Sequence, residues 1–257
     1  MTLDLAGKMI VITGAASGIG RAIALLAGRA GAAGVLLTDR DGPGCQETQA
    51  EMASDAAVHV ADLGEASAPA AIARAAIARF GRIDGLVNAA GLTTRASLSS
   101  GTPDDWETLF AVNARAPFFL MQAAIADQRA RKAPGAIVNI LSINAHCGLP
   151  ELAIYAATKG ALLTLTRNAA NAHMADRIRV NGINLGWTLT EGEHRMQVEA
   201  LGQDDAWAEA AAARLPLGRL IMPEEAARHA VWLLSDASAP MSGVAYDLEQ
   251  KVLGAPD

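Results

Sequence analysis

Residues 11–24 read VITGAASGIGRAIA. A short β-branched run ends at Thr13, the glycines Gly14, Gly18 and Gly20 follow, and an Ala- and Ile-rich stretch of helical period opens behind them. Glycines between a strand and a helix permit a tight turn and let backbone N–H groups approach a pyrophosphate at the positive end of the helix dipole. The spacing is G-x-x-x-G-x-G rather than the G-x-G-x-x-G of the usual dinucleotide fingerprint. Alone it fits a ligand-free strand-to-helix turn equally well, so its surroundings decide. Roughly 20 residues past the last glycine the next apolar run ends in LLTDR, which puts Asp39 where a carboxylate accepts hydrogen bonds from adenosine ribose hydroxyls. Its charge repels the additional 2′-phosphate of NADP and favours NAD; Arg40 beside it is either a partner for such a phosphate or a solvated surface residue.

The same alternation continues along the chain. Short apolar runs predict strands at 9–13, 34–38, 57–61, 85–88, 136–141, 179–184 and 244–248, separated by helical patterns that include 18–30, 66–80, 103 to about 131, 153–174 and 223–234. Strands that are apolar almost throughout are buried on both faces, which requires helices on both sides of a parallel sheet. The expected fold is an α/β, doubly wound Rossmann-type domain with a mostly parallel seven-stranded sheet. No linker, charge block or repeat divides it, so residues 1–257 read as one domain.

Composition narrows the function classes. Hydrophobic residues make up 51% of the 257 and charged ones 19%, enough for a large core. A net charge of −6 with no basic stripe argues against nucleic-acid binding. The N-terminus lacks the basic region and cleavage site of a signal peptide, and no uninterrupted apolar run approaches the ~18 residues that span a bilayer. Two cysteines, Cys45 and Cys147, form neither a disulfide framework nor a metal-ligand spacing, and His146 has no partner at such a spacing. A reducing cytoplasm and no metal are expected.

Further along, IYAATKGALLTLT places a phenol, Tyr155, and an amine, Lys159, four residues apart on one helix face. A phenol with a pKa of about 10 is a poor base at neutral pH and needs a nearby cation to favour its phenolate. Lys159 supplies that cation, and a charged lysine within so apolar a helix is costly without a partner or ligand. Ser142, at the C-terminal end of the fifth strand, can hydrogen-bond a substrate oxygen near the phenol, at the edge where open α/β sheets bind ligands. Tyr155 can then exchange a proton with an alcohol whose carbon exchanges hydride with a nicotinamide.

These features together resemble the classical branch of the short-chain dehydrogenase/reductase family over nearly the whole chain. TGAASGIG (Gly14, Ser17, Gly18, Ile19, Gly20) matches its glycine signature, Asp62 and Leu63 its adenine-contacting segment, and Asn88, Ala89 and Gly91 of NAAG the turn after its fourth strand. Asn113, Ser142, Tyr155 and Lys159 fall in the order of its catalytic tetrad. The resemblance implies that Lys159 also holds the nicotinamide ribose and that Asn113 places a proton-relaying water. Pro117 would free the Asn113 carbonyl for that water, although Asn113 alone could equally be a buried, hydrogen-bonded amide. It implies, too, a homo-oligomer, tetramer or dimer, for which the helices around 111–131 and 153–174 could form the contacts or could serve only the subunit's own core.

The chain departs from the common pattern in three places. NLGW carries Leu185 where proline is usual, keeps Gly186, and is followed by Thr188 and Thr190, one of which could bond the nicotinamide carboxamide. The C-terminus, with Asp247, Glu249 and Gln250, is more acidic than usual and resembles that of members acting on sugars and polyols. Finally, Asn144, His146 and Glu151 lie between the serine and the tyrosine; with Arg95, Trp187 and the Glu193, His194 and Arg195 of an expected lid at about 187–215, they suggest a polar pocket, although each singly could be surface. The expected reaction interconverts a small polyhydroxy alcohol or sugar with its ketone, using NAD rather than NADP. The alternatives are a 3-oxoacyl-thioester (acyl carrier protein) reductase, docking through Arg129, Arg131 and Lys132, and a non-catalytic NAD-binding regulatory protein.

Overall fold

The computed structural model describes residues 3–252, so residues 253–257 of the acidic C-terminal stretch and the first two of the expected domain lie outside the described residues. Its sheet holds β1 (Met9–Thr13), β2 (Gly34–Asp39), β3 (Ala56–Val60), β4 (Gly85–Asn88), β5 (Gly135–Ile140), β6 (Ile178–Leu185) and β7 (Ala245–Leu248) in the order β3-β2-β1-β4-β5-β6-β7. The mostly parallel seven-stranded sheet expected from the sequence is present, and every pairing between its strands is parallel. Parallel neighbours need a crossover between them, and helices supply it: α1 (Gly18–Arg29), α2 (Gly42–Ala50), α3 (Ala68–Phe80), α4 (Pro103–Phe110), α5 (Ala116–Ala130), α6 (Ala153–His173), α7 (Glu191–Arg195), α8 (Trp207–Ala212) and α9 (Pro223–Leu234).

Side-chain parity sorts the strands into two cores. Ile10 and Ile12 of β1 pack with Ile23, Ala24 and Ala27 of α1 and Ala230, Val231 and Leu234 of α9. Val11 between them faces the opposite, lower layer, with Ile72 and Ala76 of α3 and Leu120 and Ala124 of α5. Alanines at these contacts let the helices lie close to the sheet. All residues of β4, β5 and β6 are buried, whereas β3 and β7 at the edges are only partly so.

Helix α2 was not among the sequence's helical patterns, since GPGCQETQA has no apolar stripe. Its signal is local: Asp41 caps the first turn by accepting from the Gly44 N–H at 3.1 Å, and Pro43 stands just inside the start. The helix expected from 103 to about 131 is broken into α4 and α5 by a wider π turn, Ala111–Arg115, in which the Ala116 N–H reaches the Ala111 carbonyl. Pro117 cannot donate to the Asn113 carbonyl, and the extra residue is accommodated there. By length and composition the run Pro103–Ala130 could cross a bilayer, but 61% of its most apolar window is packed inside the fold, as in a core helix.

Between β6 and α9 lies a buried cation. Arg179 donates to the carbonyls of Leu233 (3.0 Å) and Ser235 (2.9 Å) and to the Ser238 hydroxyl (2.7 Å), so it closes the carbonyl end of α9 onto the sheet. Arg179→Met keeps the aliphatic stem and orphans these acceptors. It is expected to lower folding stability by about 2–4 kcal/mol and the calorimetric midpoint by about 5–15 °C; a midpoint within about 2 °C of the parent would contradict that role.

Candidate active site

β1 lies between β2 and β4, so the chain winds outward in opposite directions from it and a crevice opens at the C-terminal strand ends. Here the structure has a cleft of about 1830 Å³. The glycine turn forms its floor. Gly14 and Gly18 have φ of +70° and +53°; a Cβ on Gly14 would meet the Ala90 backbone at 2.9 Å, and one on Gly20 would meet the Gly14 carbonyl oxygen at 2.0 Å. Ser17 stands at the N-cap of α1 without bonding its first-turn N–H groups, which are therefore open to an anion. Such a cradle, shaped by the absence of side chains at a helix N-terminus, fits a dinucleotide pyrophosphate.

At the end of β2, Asp39 accepts from the Asp41 N–H at 3.1 Å and, more loosely, from the Ala16 N–H at 3.4 Å, so it joins the glycine turn to the start of α2. Arg40, Asp41, Asp62 and Leu63 line the same end of the cleft. Asp62 accepts from the Gly64 N–H at 2.7 Å. Thr13 ties the opposite wall: its hydroxyl accepts from the N–H groups of Ala89 and Ala90 at 3.0 and 3.1 Å, fixing the NAAG turn against the glycine turn. Sequence reasoning passed over Thr13, whose only signal is a hydroxyl at the last position of an otherwise apolar strand.

Ser142, Tyr155 and Lys159 line the same cleft. Tyr155 and Lys159, on the first turns of α6, are 8% and 4% exposed. The amine donates to the Ile140 carbonyl at 2.8 Å and lies 5.8 Å from the Tyr155 ring centroid. Burial lowers the Lys159 pKa to about 8. Burial also raises that of Tyr155; the Ser142 hydroxyl opposes this, Glu193 adds to it, and Arg95 lowers it. Ser142 in addition caps the short turn after β5, accepting from the backbone and side-chain nitrogens of Asn144 at 3.1 and 3.2 Å.

Three expected site residues point elsewhere. Asn113 does not line the cleft: its amide clamps Leu92, accepting from the N–H and donating to the carbonyl, both at 2.9 Å, and donates to Thr158 at 3.1 Å. It holds the loop that passes over Lys159, where the Cβ position of Gly91 lies 3.5 Å from the amine. Asn88 is turned into the lower layer, donating to Asn139 at 2.7 Å, and Asn139 donates on to Thr166 at 2.8 Å. His146 is drawn out of the pocket wall to β7, where its Nε2 lies 2.9 Å from Asp247, and Asn184 donates to the same carboxylate at 2.8 Å.

The other expected residues, Ala89, Gly91, Arg95, Asn144, Glu151, Gly186, Trp187, Thr188 and Thr190, do line the cleft. Thr190 caps α7 through the Glu193 N–H at 3.0 Å, and its methyl sits 3.3 Å from the Cβ position of Gly18. Thr188 donates to the Gly186 carbonyl at 3.1 Å. The outer wall is built by segment 187–215, where Trp207 and Ala211 form a small core with Leu220 and Trp187 stacks on Trp207 at 5.8 Å. Within it Glu193 accepts from Trp187 at 2.9 Å and from Gln197 at 2.8 Å, and Gln197 is a wall residue that the sequence did not single out.

Comparison with known proteins gives a consistent assignment. A family model described as enoyl-(acyl carrier protein) reductase matches residues 14–248. The 2-(S)-hydroxypropyl-CoM dehydrogenase 3 of Xanthobacter autotrophicus is 36% identical, covering 97% of this chain and 98% of its own. The D-threitol dehydrogenase of Mycolicibacterium smegmatis is 34% identical over 93% of this chain and 90% of its own. Among solved structures, the L-sorbose reductase of Gluconobacter frateurii, in complex with NADPH and L-sorbose, superposes with a TM-score of 0.90 at 28% identity, with all of both chains covered. By its sequence relatives and by its fold, the chain belongs to the short-chain dehydrogenase/reductase family of oxidoreductases.

Proposed function

We propose that this oxidoreductase interconverts a secondary alcohol, most suitably a small polyhydroxy alcohol or sugar, with its ketone. The observation that carries the reading is the burial of Tyr155 and Lys159 together beside Ser142, on the edge where the glycine cradle ends. A nicotinamide dinucleotide held by Gly14, Ser17, Gly18, Ile19, Gly20, Asp39, Asp62 and Leu63 supplies the hydride acceptor or donor. The chain's own groups do the rest. Ser142 orients the substrate oxygen. Tyr155 takes the alcohol proton or returns it, and the positive field of Lys159 favours its phenolate. Asn113 acts by fixing the loop over the amine. Segment 187–215 serves as the lid, and its wall of Glu193, Gln197 and Trp187 suits a substrate rich in hydroxyls.

Asp39 favours NAD over NADP, with Arg40 the group that could admit a phosphate. The thioester alternative draws on the description of the matching family model. Against it, Arg129 is paired with Asp176 at 3.0 Å and Arg131 with Asp127 at 2.9 Å, which leaves little free charge for an acidic carrier. Retention of all four tetrad residue types argues against a purely regulatory role. Half-exposed Trp106, Phe118 and Phe119 on α4 and α5 offer an apolar face for a second copy of the chain.

Tyr155→Phe is expected to lower kcat by about 10²–10⁴-fold while NAD(H) titration by fluorescence stays close to the parent's; a variant with parental turnover would remove the proton-transfer role. Asp39→Ala should raise the NADP-to-NAD ratio of kcat/KM by about tenfold or more, and an unchanged ratio would assign selectivity to another group. The third expectation concerns Lys159, whose pKa of about 8 in the fold lies below the 10.5 of a free lysine. Between these values the unfolded chain binds the additional proton, so the lysine's burial penalty is full below pH 8 and vanishes as pH rises through 10.5. The stability of the parent minus that of Lys159→Met should therefore rise by about 3 kcal/mol across this window in denaturant titrations. A flat difference would mean that the amine is not buried as a cation.

A further inference from the structure

The wall of the cleft that also holds Ser142 carries an ion pair that does not close. Arg95, on the loop after β4, and Glu193, on α7, approach only to 3.7 Å, and their side chains are 20% and 13% exposed. Arg95 makes one hydrogen bond among the described residues, from Nη1 to the Thr93 carbonyl at 3.1 Å, so most of its five N–H donors are unspent. Glu193 receives both of its side-chain bonds, from Trp187 and Gln197, on Oε1; Oε2 accepts none among the described residues. Both residues line the cleft with Tyr155, and the charges of both act on its phenol.

A carboxylate with one oxygen lacking a donor among the described residues, and a guanidinium with spare donors 3.7 Å from its other oxygen, match one small neutral group: a hydroxyl, which gives its proton to the carboxylate and its lone pair to the guanidinium. An acidic group suits the place poorly, because two N–H donors hold the Glu193 charge where that group would have to sit. An alkyl group suits it worse, since it would dehydrate both charges and satisfy neither.

We propose that Arg95 and Glu193 form the specificity site for a second hydroxyl on the carbon next to the reacting one, so that the enzyme's substrate is a vicinal diol and its product an α-hydroxyketone. The proposal rests on the alcohol-oxidation reading above and names its substrate class. The second hydroxyl is not consumed. It fixes which carbon faces the phenol, and a mono-ol of the same length loses that register along with both hydrogen bonds.

The test compares butan-2-ol, butane-2,3-diol and 2-hydroxybutanoate as substrates, with NAD and with NADP, for the parent, Glu193→Ala, Glu193→Gln and Arg95→Met. The parent should prefer the diol to the mono-ol in kcat/KM by about 10²-fold or more, as expected of a site built around a substrate hydroxyl. Glu193→Ala and Arg95→Met should each reduce that ratio by about tenfold or more, with Glu193→Gln, which keeps an acceptor oxygen, between them and the parent. If the two residues only brace the wall, the variants lose activity on diol and mono-ol together and the ratio stands, which overturns the proposal. A parental preference for the hydroxy acid overturns it in favour of Arg95 as a carboxylate receptor. Turnover of none of the three with either cofactor sinks the alcohol-oxidation reading itself, and the proposal with it.

Discussion

The arrangement of the site depends on keeping one amine, that of Lys159, inside the fold with no carboxylate paired to it among the described residues. Burial lowers its pKa, and among the described residues a single backbone carbonyl, from Ile140, receives its proton. That carbonyl belongs to the last residue of β5, a strand buried throughout, so the amine is held by the interior of the sheet. A carboxylate in contact would hold the lysine at lower cost but would cancel the positive field it places on the Tyr155 phenol. The surrounding structure is consistent with this trade. Asn113 spends its whole amide on holding the covering loop, and Thr158, one position before the lysine, takes part in the same clamp while donating to the Tyr155 carbonyl at 2.7 Å.

The sequence was most legible where backbone geometry or local spacing carries the chemistry. Gly14, Gly18 and Gly20 are needed because a Cβ at those positions collides or is strained, and Tyr155 and Lys159 share a helix face because they are four residues apart. Asp39 ends a strand, and the strand was readable from its apolar run. Less legible were positions whose role depends on parity or on distant partners. Asn88 occupies the right turn, but its side chain follows Leu86 into the lower layer and meets Asn139. His146 lies in the right segment, yet a contact with Asp247, 101 residues away in sequence, takes its ring out of the pocket.

The two walls of the cleft are bound by different means. On the dinucleotide side, the Thr13 hydroxyl and the Asp39 carboxylate hold backbone N–H groups of the neighbouring turns. On the outer side, Trp187, Glu193 and Gln197 hold one another through side chains alone, above a small core around Trp207. A common cofactor with variable substrates calls for such a division: the shared part is written in the backbone and the variable part in groups that can be exchanged singly.

The π turn at Ala111–Arg115 sets the tolerance of this helix to deletion. One residue more than an α-helix would use is spent there, and each helical residue rotates the downstream part of the helix by about 100°. Deleting it would straighten the helix and swing α5 around its axis by that angle, carrying Leu120, Met121 and Ala124 out of the lower core and bringing the exposed Phe118 and Phe119 to new positions. Within the turn, the same deletion would pull Asn113 away from Leu92. The bulge is thus trapped between two requirements in different parts of the fold, and single-residue deletions in this helix face a barrier that substitutions do not.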